Sequence, residues 1–187
     1  KDDARLVIAS ASDFVGEYMG YEKMLVAIYK ADIIETSGAP EPEILAAWSE
    51  AADQGATYKI PVEKAEPSVR YLIVLSAAKR WPEAQAQADR ILKADPKNVD
   101  VKRRKMKVLL ALNMPQDAAK LGESIIDKAK GRNQFWVAES LAKAYIGDKK
   151  NNQAKTLIMA YLARPEMSSE KMHSTKKSME DLLKSLQ

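Results

Sequence analysis

The sequence predicts an all-α protein, and three observations carry that expectation. Alanine, leucine, lysine and glutamate, all strong helix formers, dominate a chain of 187 residues that holds only 7 glycines and 8 prolines. Apolar residues recur every three or four positions within segments punctuated by Pro, Gly and Asn, which is the helical period. These segments fall into pairs that repeat at a nearly constant interval, as stacked helical hairpins do.

Taken in order, residues 2–16 carry Leu6, Ala9 and Phe14, with Tyr18 in the tail, and form the first expected helix. Residues 21–36 carry Met24, Leu25, Ile28 and Ile33 and end before Ser37-Gly38. Pro42 opens the next helix, because proline's missing N–H needs no partner in a first turn. Ile44, Leu45, Trp48 and Ala52 keep the period there, and Gly55 is the expected stop. The stretch ATYKIPVEKAEP, residues 56–67, is the least helical. Tyr58, Ile60 and Val62 alternate as in a strand, but no second strand candidate exists to pair with them, so an extended connector is expected.

After Glu66 the helices become regular. One runs to about Lys79, and the next from Pro82 to just before Asp95-Pro96. Asn98 is the N-cap of a third, reaching about Leu112. Pro115 opens a fourth that stops near Gly131, Asn133 caps a fifth ending at Gly147-Asp148, and a sixth runs from Asn151 to Ala163. Ser168 caps an expected last helix, whose Met172, Met179, Leu182, Leu183 and Leu186 share one face.

Three segments align: RWPEAQAQADRIL (80–92), NMPQDAAKLGESII (113–126) and KNNQAKTLIMAYL (150–162). Each has an acidic or amide residue, then alanine, then an apolar pair seven and eight positions on. The anchoring alanines, Ala84, Ala118 and Ala154, stand 34 and 36 residues apart. The pattern resembles the tetratricopeptide repeat (TPR) family. WPEAQAQADRILKADPKN carries the likeness best, through Trp81, Glu83-Ala84, Ile91-Leu92 and Asp95-Pro96. LAKAY (141–145) before Gly147-Asp148 matches the first helix of such a unit.

The likeness covers about residues 66–166 and implies helix–turn–helix units with small residues where helices cross. The repeats are degenerate. Ala88, Gly122 and Ile158 stand where the family has a large aromatic, and Leu72, Met106 and Ala142 where it has a glycine. The closing proline is Pro96 in the first unit, Lys130 in the second and, one place early, Pro165 in the third. The expected architecture is therefore an α-solenoid of TPR-like hairpins. Residues 1–55 are a worn repeat or cap, 56–67 a connector, 68–166 three repeats, and 167–187 a C-terminal capping helix.

Lysine and arginine number 30 against 26 acidic residues, a mild basic excess that does not by itself mark a nucleic-acid binder. The absence of cysteine excludes disulfides and thiolate metal sites and fits reducing and oxidising compartments alike. The most apolar run, Met24 to Ile34, is interrupted by Lys30 and Asp32 and cannot span a bilayer. The chain opens KDDARL with no Met and no visible signal peptide, as expected of a processed form or a piece of a larger protein.

No catalytic constellation stands out. His173, the one histidine, lies in a polar stretch without an orienting partner and reads as a surface residue. The pairs Asp2/Asp3 and Glu41/Glu43 stand near helix starts, where they meet the positive end of the dipole. Gly16 and Gly20 lack the Lys-Ser/Thr of a phosphate loop. No enzymatic activity, cofactor or metal site is expected.

The basic run KRRKMK (102–107) is instead the feature of interest. On a helix, Val101, Val108, Leu109 and Leu112 form the buried arc. Arg103, Arg104 and Lys107 fall in a wedge on the other side, with Lys102 and Lys105 at the edges. In TPR proteins the first helix of each unit lines a concave groove. The resemblance thus implies groove positions at Val69, Arg70 and Ile73, at Arg103, Arg104 and Lys107, and at Trp136, Glu139, Ser140 and Lys143.

The candidate partner-binding residues are Arg70, Arg103, Arg104, Lys107, Trp136 and Lys143, which suit an acidic or C-terminal peptide. The family's clamp for chaperone tails is not expected, because Val69 and Ile73 stand where it needs a Lys and an Asn. The expected function is a non-enzymatic protein-interaction module binding a peptide or helix of a partner. The alternatives are a regulatory or dimerising domain of a larger protein and, with least support, nucleic-acid binding, since aromatics for stacking are sparse in the basic helix.

Overall fold

In the computed structural model, residues 21–57 and 61–186 are described, and the expected helix at 2–16 lies outside them. The described residues form helices and turns, with no strand among them. The chain divides into two compact units, Lys1–Ile91 and Leu92–Gln187.

The first unit holds α1 (Tyr21–Thr36), α2 (Glu41–Thr57), α3 (Pro61–Ala77) and most of α4 (Trp81–Ala94). α1 packs on α2, and α2 on α3. Ala27, Ala31, Ala47, Ala51 and Ala52 are buried alongside Met24, Leu45 and Trp48. Such short side chains let helix axes approach closely. Between α3 and α4, the buried Gln87 donates Nε2 to the Ser68 carbonyl at 3.1 Å.

Two expectations for this unit change. α3 begins at Pro61 rather than after Glu66, so most of the expected connector is helical. Proline suits the first position. Pro67 then sits inside the helix, where it removes one ladder hydrogen bond. The helix nevertheless runs through Pro67, whose side chain is fully buried. The alternation at Tyr58 and Ile60 lies outside the described residues. α2 also continues through Gly55 to Thr57.

The second unit holds α5 (Val99–Ala111), α6 (Pro115–Glu123), α7 (Arg132–Gly147), α8 (Asn151–Leu162) and α9 (His173–Lys184). α7 is its centre, packing against α5, α6, α8 and α9. Met106, Leu109, Ala118, Ile125, Val137 and Leu141 form one core cluster. Phe135, Ala138, Ala142, Ile158, Tyr161, Met167, Met172 and Met179 form another, with Leu182, Leu183 and Leu186 half-buried against it.

As expected, Asn98 caps α5, its Oδ1 accepting from the Val101 N–H at 3.0 Å. α6 stops at Glu123 rather than near Gly131. The Ser124 hydroxyl turns back to the Leu121 carbonyl, and the Ile125 N–H bonds Gly122 three residues back, so the ladder tightens into turns. Gly131, not Asn133, caps α7. Its φ of +54° with ψ of −138° is a backbone state that only glycine enters freely. Ser168 does not open the last helix. Two 3-10 turns, Pro165–Ser168 and Glu170–Met172, bury Met167 and Met172 before α9 starts at His173.

Four hairpins share one turn chemistry. After α3, α5 and α7, Lys79, Asn113 and Lys149 adopt φ of +57°, +57° and +60°. In each, the following N–H reaches five residues back: Arg80 to Leu75, Met114 to Leu109, Lys150 to Tyr145. That is the Schellman helix ending. Gly38, at φ +71°, closes α1 in the same way, with Ala39 N–H on the Ile34 carbonyl. The α1–α2 pair is therefore a hairpin of the same make as those that follow.

The departures from the family pattern pair by size along the chain. Leu72 and Ala88, Met106 and Gly122, and Ala142 and Ile158 each stand sixteen residues apart in the chain, and all six are buried. A large residue on the first helix goes with a small one on the second in two pairs, and the reverse holds in the third. At Gly122, a Cβ would lie 2.6 Å from Met106 Cε, so the methionine fills the space that an aromatic would need.

Candidate functional site

Of the six candidate residues, Arg70 belongs to the first unit and the other five to the second. Arg70 on α3 is held internally. Its NH2 lies 2.7 Å from Glu35 Oε1 and its Nε 3.2 Å from Oε2, and its guanidinium sits 5.6 Å from the Trp48 ring. Trp48 Nε1 donates to the same carboxylate at 2.8 Å. Glu35 thereby ties α1, α2 and α3 together.

In the second unit, Asp100 in the first turn of α5 organises the arginines. It accepts from Arg103 NH2 at 2.7 Å through Oδ1 and from Arg104 Nε at 2.7 Å through Oδ2. Burial works against the ionised Asp100, but hydrogen bonds and charge from the two guanidiniums outweigh it and hold the carboxyl below its ordinary value. The Arg103 guanidinium also lies 4.9 Å from the centre of the Trp136 ring on α7, and Arg132 approaches the same ring at 5.6 Å.

This corrects the placement of Arg103. The helical wheel puts it on the open side of α5, yet its side chain is only 7% exposed. The wheel counts one helix, whereas α5 packs on both α6 and α7, and the second neighbour covers that face. Arg103 is a packed strut between helices.

Lys107, one turn beyond Arg103, is exposed. Partial desolvation and the charges of Arg103, Lys143 and Arg104 lower its pKa, and only Glu139 opposes them. Glu139 is already engaged: its Oε1 accepts from Lys143 Nζ at 2.5 Å and from Ser178 Oγ of α9 at 2.7 Å. Among the described residues Lys107 has no hydrogen-bond or ion-pair partner.

The structure thus brings Arg103, Arg104, Lys107, Trp136 and Lys143 to the α5–α7 side of the second unit. Residues missed as site members are Asp100, Arg132 and Ser178. Asp100 was legible, standing three and four positions before the two arginines. Ser178 was not, because nothing local says where α9 docks.

Elsewhere a cleft of about 480 Å³ opens where the α5–α6 and α7–α8 turns meet, lined by Pro115, Asp117, Gly147 and Asp148 among others. Its carboxylate Asp148 is engaged by Lys150 at 2.8 Å. His173 is exposed at the start of α9. Among the described residues no cluster of three or more His, Cys, Asp or Glu side chains could hold a metal ion, and no helix is long and apolar enough to cross a membrane.

No family model matches the sequence, and no curated protein matches it. Solved structures do. MamA (residues 41 to the end) from Desulfovibrio magneticus RS-1 matches with a TM-score of 0.68 at 20% identity, over 90% of this chain and 91% of that one. A double mutant of MamA from RS-1 matches with a TM-score of 0.64 at 17% identity, over 89% and 98%. A variant of a Podospora anserina protein described as a kinesin light chain with nearly identical TPR-like repeats matches with a TM-score of 0.69 at 12% identity, over 95% and 85%. At these identities the likeness is one of fold: the chain is an all-α solenoid of TPR-like helical hairpins.

Proposed function

We propose that the chain is a non-enzymatic protein-interaction module that binds a peptide or helix of a partner protein along the first helices of its hairpins. The observation that carries this reading is the α5–α7 face, where charged side chains from two successive first helices gather beside Trp136. TPR-like solenoids offer rigid, pre-formed surfaces, which keep the ordering cost of binding low. Exposed Lys107 and Lys143 and half-buried Arg104 are the side chains placed to meet a partner. Arg103 and Arg70 are committed to internal contacts and hold the helices in place.

The test is affinity capture with the full chain as bait and mass spectrometry of what it retains. An Arg104→Gln, Lys107→Glu double variant should lose the partners, with a melting temperature lowered by no more than about 3 °C, since its changes touch surface charge. Undiminished capture by the variant sinks the assignment of this face.

A further inference from the structure

The two units carry opposite charge. Lys1–Ile91 holds 10 Lys and Arg against 15 Asp and Glu, a net −5, whereas Leu92–Gln187 holds 20 against 11, a net +9. In the first unit α2 shows the excess most plainly, bearing Glu41, Glu43, Glu50 and Asp53 and no Lys or Arg. Glu50 is paired with Lys30 and Asp53 with Arg90. Glu41 and Glu43, in the first turn, are exposed and make no side-chain hydrogen bond or ion pair among the described residues.

The basic unit has an edge where its first helices begin. The Arg103 and Arg132 guanidiniums both lie against the Trp136 ring, so the starts of α5 and α7 stand side by side. The turns leading into these helices expose Lys97, Lys128 and Lys130. Of the two carboxylates on the same turns, Asp95 accepts from the Lys97 N–H and the Asn98 side chain, which leaves Asp127. These lysines belong to connecting turns, not to the first helices themselves.

We propose that the partner of this edge is a second copy of the chain, with Glu41 and Glu43 of one copy meeting Lys128 and Lys130 of the next. The pairing is heterologous, so each added copy leaves one acidic and one basic surface free for another. A phosphate polymer or an anionic bilayer would be attracted by the second unit and repelled by the first. A second copy neutralises both. The inference goes beyond the interaction-module reading and makes no use of the α5–α7 face.

Sedimentation velocity of the full chain tests it, over a concentration series at about 20 mM and about 500 mM NaCl. At low salt the mass should climb with concentration above the 20.8 kDa monomer, and at high salt it should return to it. The double variants Glu41→Lys, Glu43→Lys and Lys128→Glu, Lys130→Glu should each weaken association at least about tenfold. An equimolar mixture of the two should restore it, because the reversed charges match again. Lys155→Glu, Lys177→Glu, at exposed positions on α8 and α9, makes the same change in net charge and should associate as the wild type does. Glu41 and Glu43 also meet the positive end of the α2 dipole. If their reversal unfolds the chain, Glu41→Gln, Glu43→Gln replaces it and should weaken association at least about threefold.

A monomer at low salt, association indifferent to salt, an equal loss in the Lys155, Lys177 variant, or no recovery on mixing two folded variants overturns the inference. So does binding to phosphatidylserine vesicles or oligothymidylate that is tighter than self-association, which gives the basic edge to a polyanion. Capture of a partner through the α5–α7 face is a separate readout, so either result can fail without the other.

Discussion

At the scale of single residues, two arginines adjacent in sequence have different duties. Both bond Asp100, but Arg103 is buried against Trp136, whereas Arg104 stays 29% exposed. Asp100 gives this arrangement a pH signature. Its folded pKa lies below the unfolded value of about 3.9, so its stabilisation is complete above that pH and lost as pH falls through the folded value. Asp100 is itself 38% exposed, so solvent screens much of the gain. Asp100→Asn should lower stability by roughly 1 kcal/mol at neutral pH. In urea titrations across pH the gap between variant and wild type should narrow as pH falls below the ordinary carboxylate range and close once Asp100 is protonated in the folded chain. A gap that persists in acid would show that shape rather than charge makes the contact. The sequence made Asp100 legible through its helical spacing. It hid the burial of Arg103, because the covering ring comes from a helix more than thirty residues on.

At the scale of helices and hairpins, the repeat is kept by volume and by turn geometry. Gly122→Leu should destabilise the chain by about 1–3 kcal/mol through overpacking against Met106 and Leu141. Met106→Ala alone should cost about 2–5 kcal/mol by opening a cavity. Combined, the two should cost clearly less than their sum, because leucine fills the space the methionine leaves. Chemical denaturation of the four proteins closes the cycle, and strict additivity would refute the exchange of volumes. The anchoring alanines and the Asn98 cap were legible because caps and small residues act locally. The early stop of α6, the Gly131 cap and the 3-10 turns before α9 were not. Each depends on a positive φ or on burial against another helix, neither of which a periodic pattern records. The helical start at Pro61 was missed for a related reason: Pro67 reads as a break until its burial is known.

At the scale of the whole molecule, stability is spread over neighbouring hairpins rather than gathered around one centre. Within the second unit α7 has the most partners, and seven of its residues, Phe135 to Ala144, are buried. α9 packs on α7 and α8 and leaves three leucines half-buried. Amide hydrogen exchange should therefore be slowest in α7 and fastest among the unit's long helices in α9. Equal protection of the two would argue against a capping role for α9. The proposed interaction face also belongs to this scale, because Lys107, Lys143 and Trp136 come together only when two successive first helices stand side by side. The degenerate repeat, at spacings of 34 and 36, announced that stacking before any coordinates.

The sequence by itself determined the helical class, the hairpin period, most helix limits and the basic character of α5. These follow from the order of side chains along one helix and from the chemistry of its ends. Only the tertiary structure decided which basic groups are spent and which remain. Burial and pairing are set by neighbours distant in the chain: Trp136 takes Arg103, Glu35 takes Arg70, and Ser178 helps to occupy Glu139. Lys107 stands out for that reason. Arg103, Arg104 and Lys143 are hydrogen-bonded to carboxylates, whereas Lys107 is exposed and makes no side-chain hydrogen bond among the described residues.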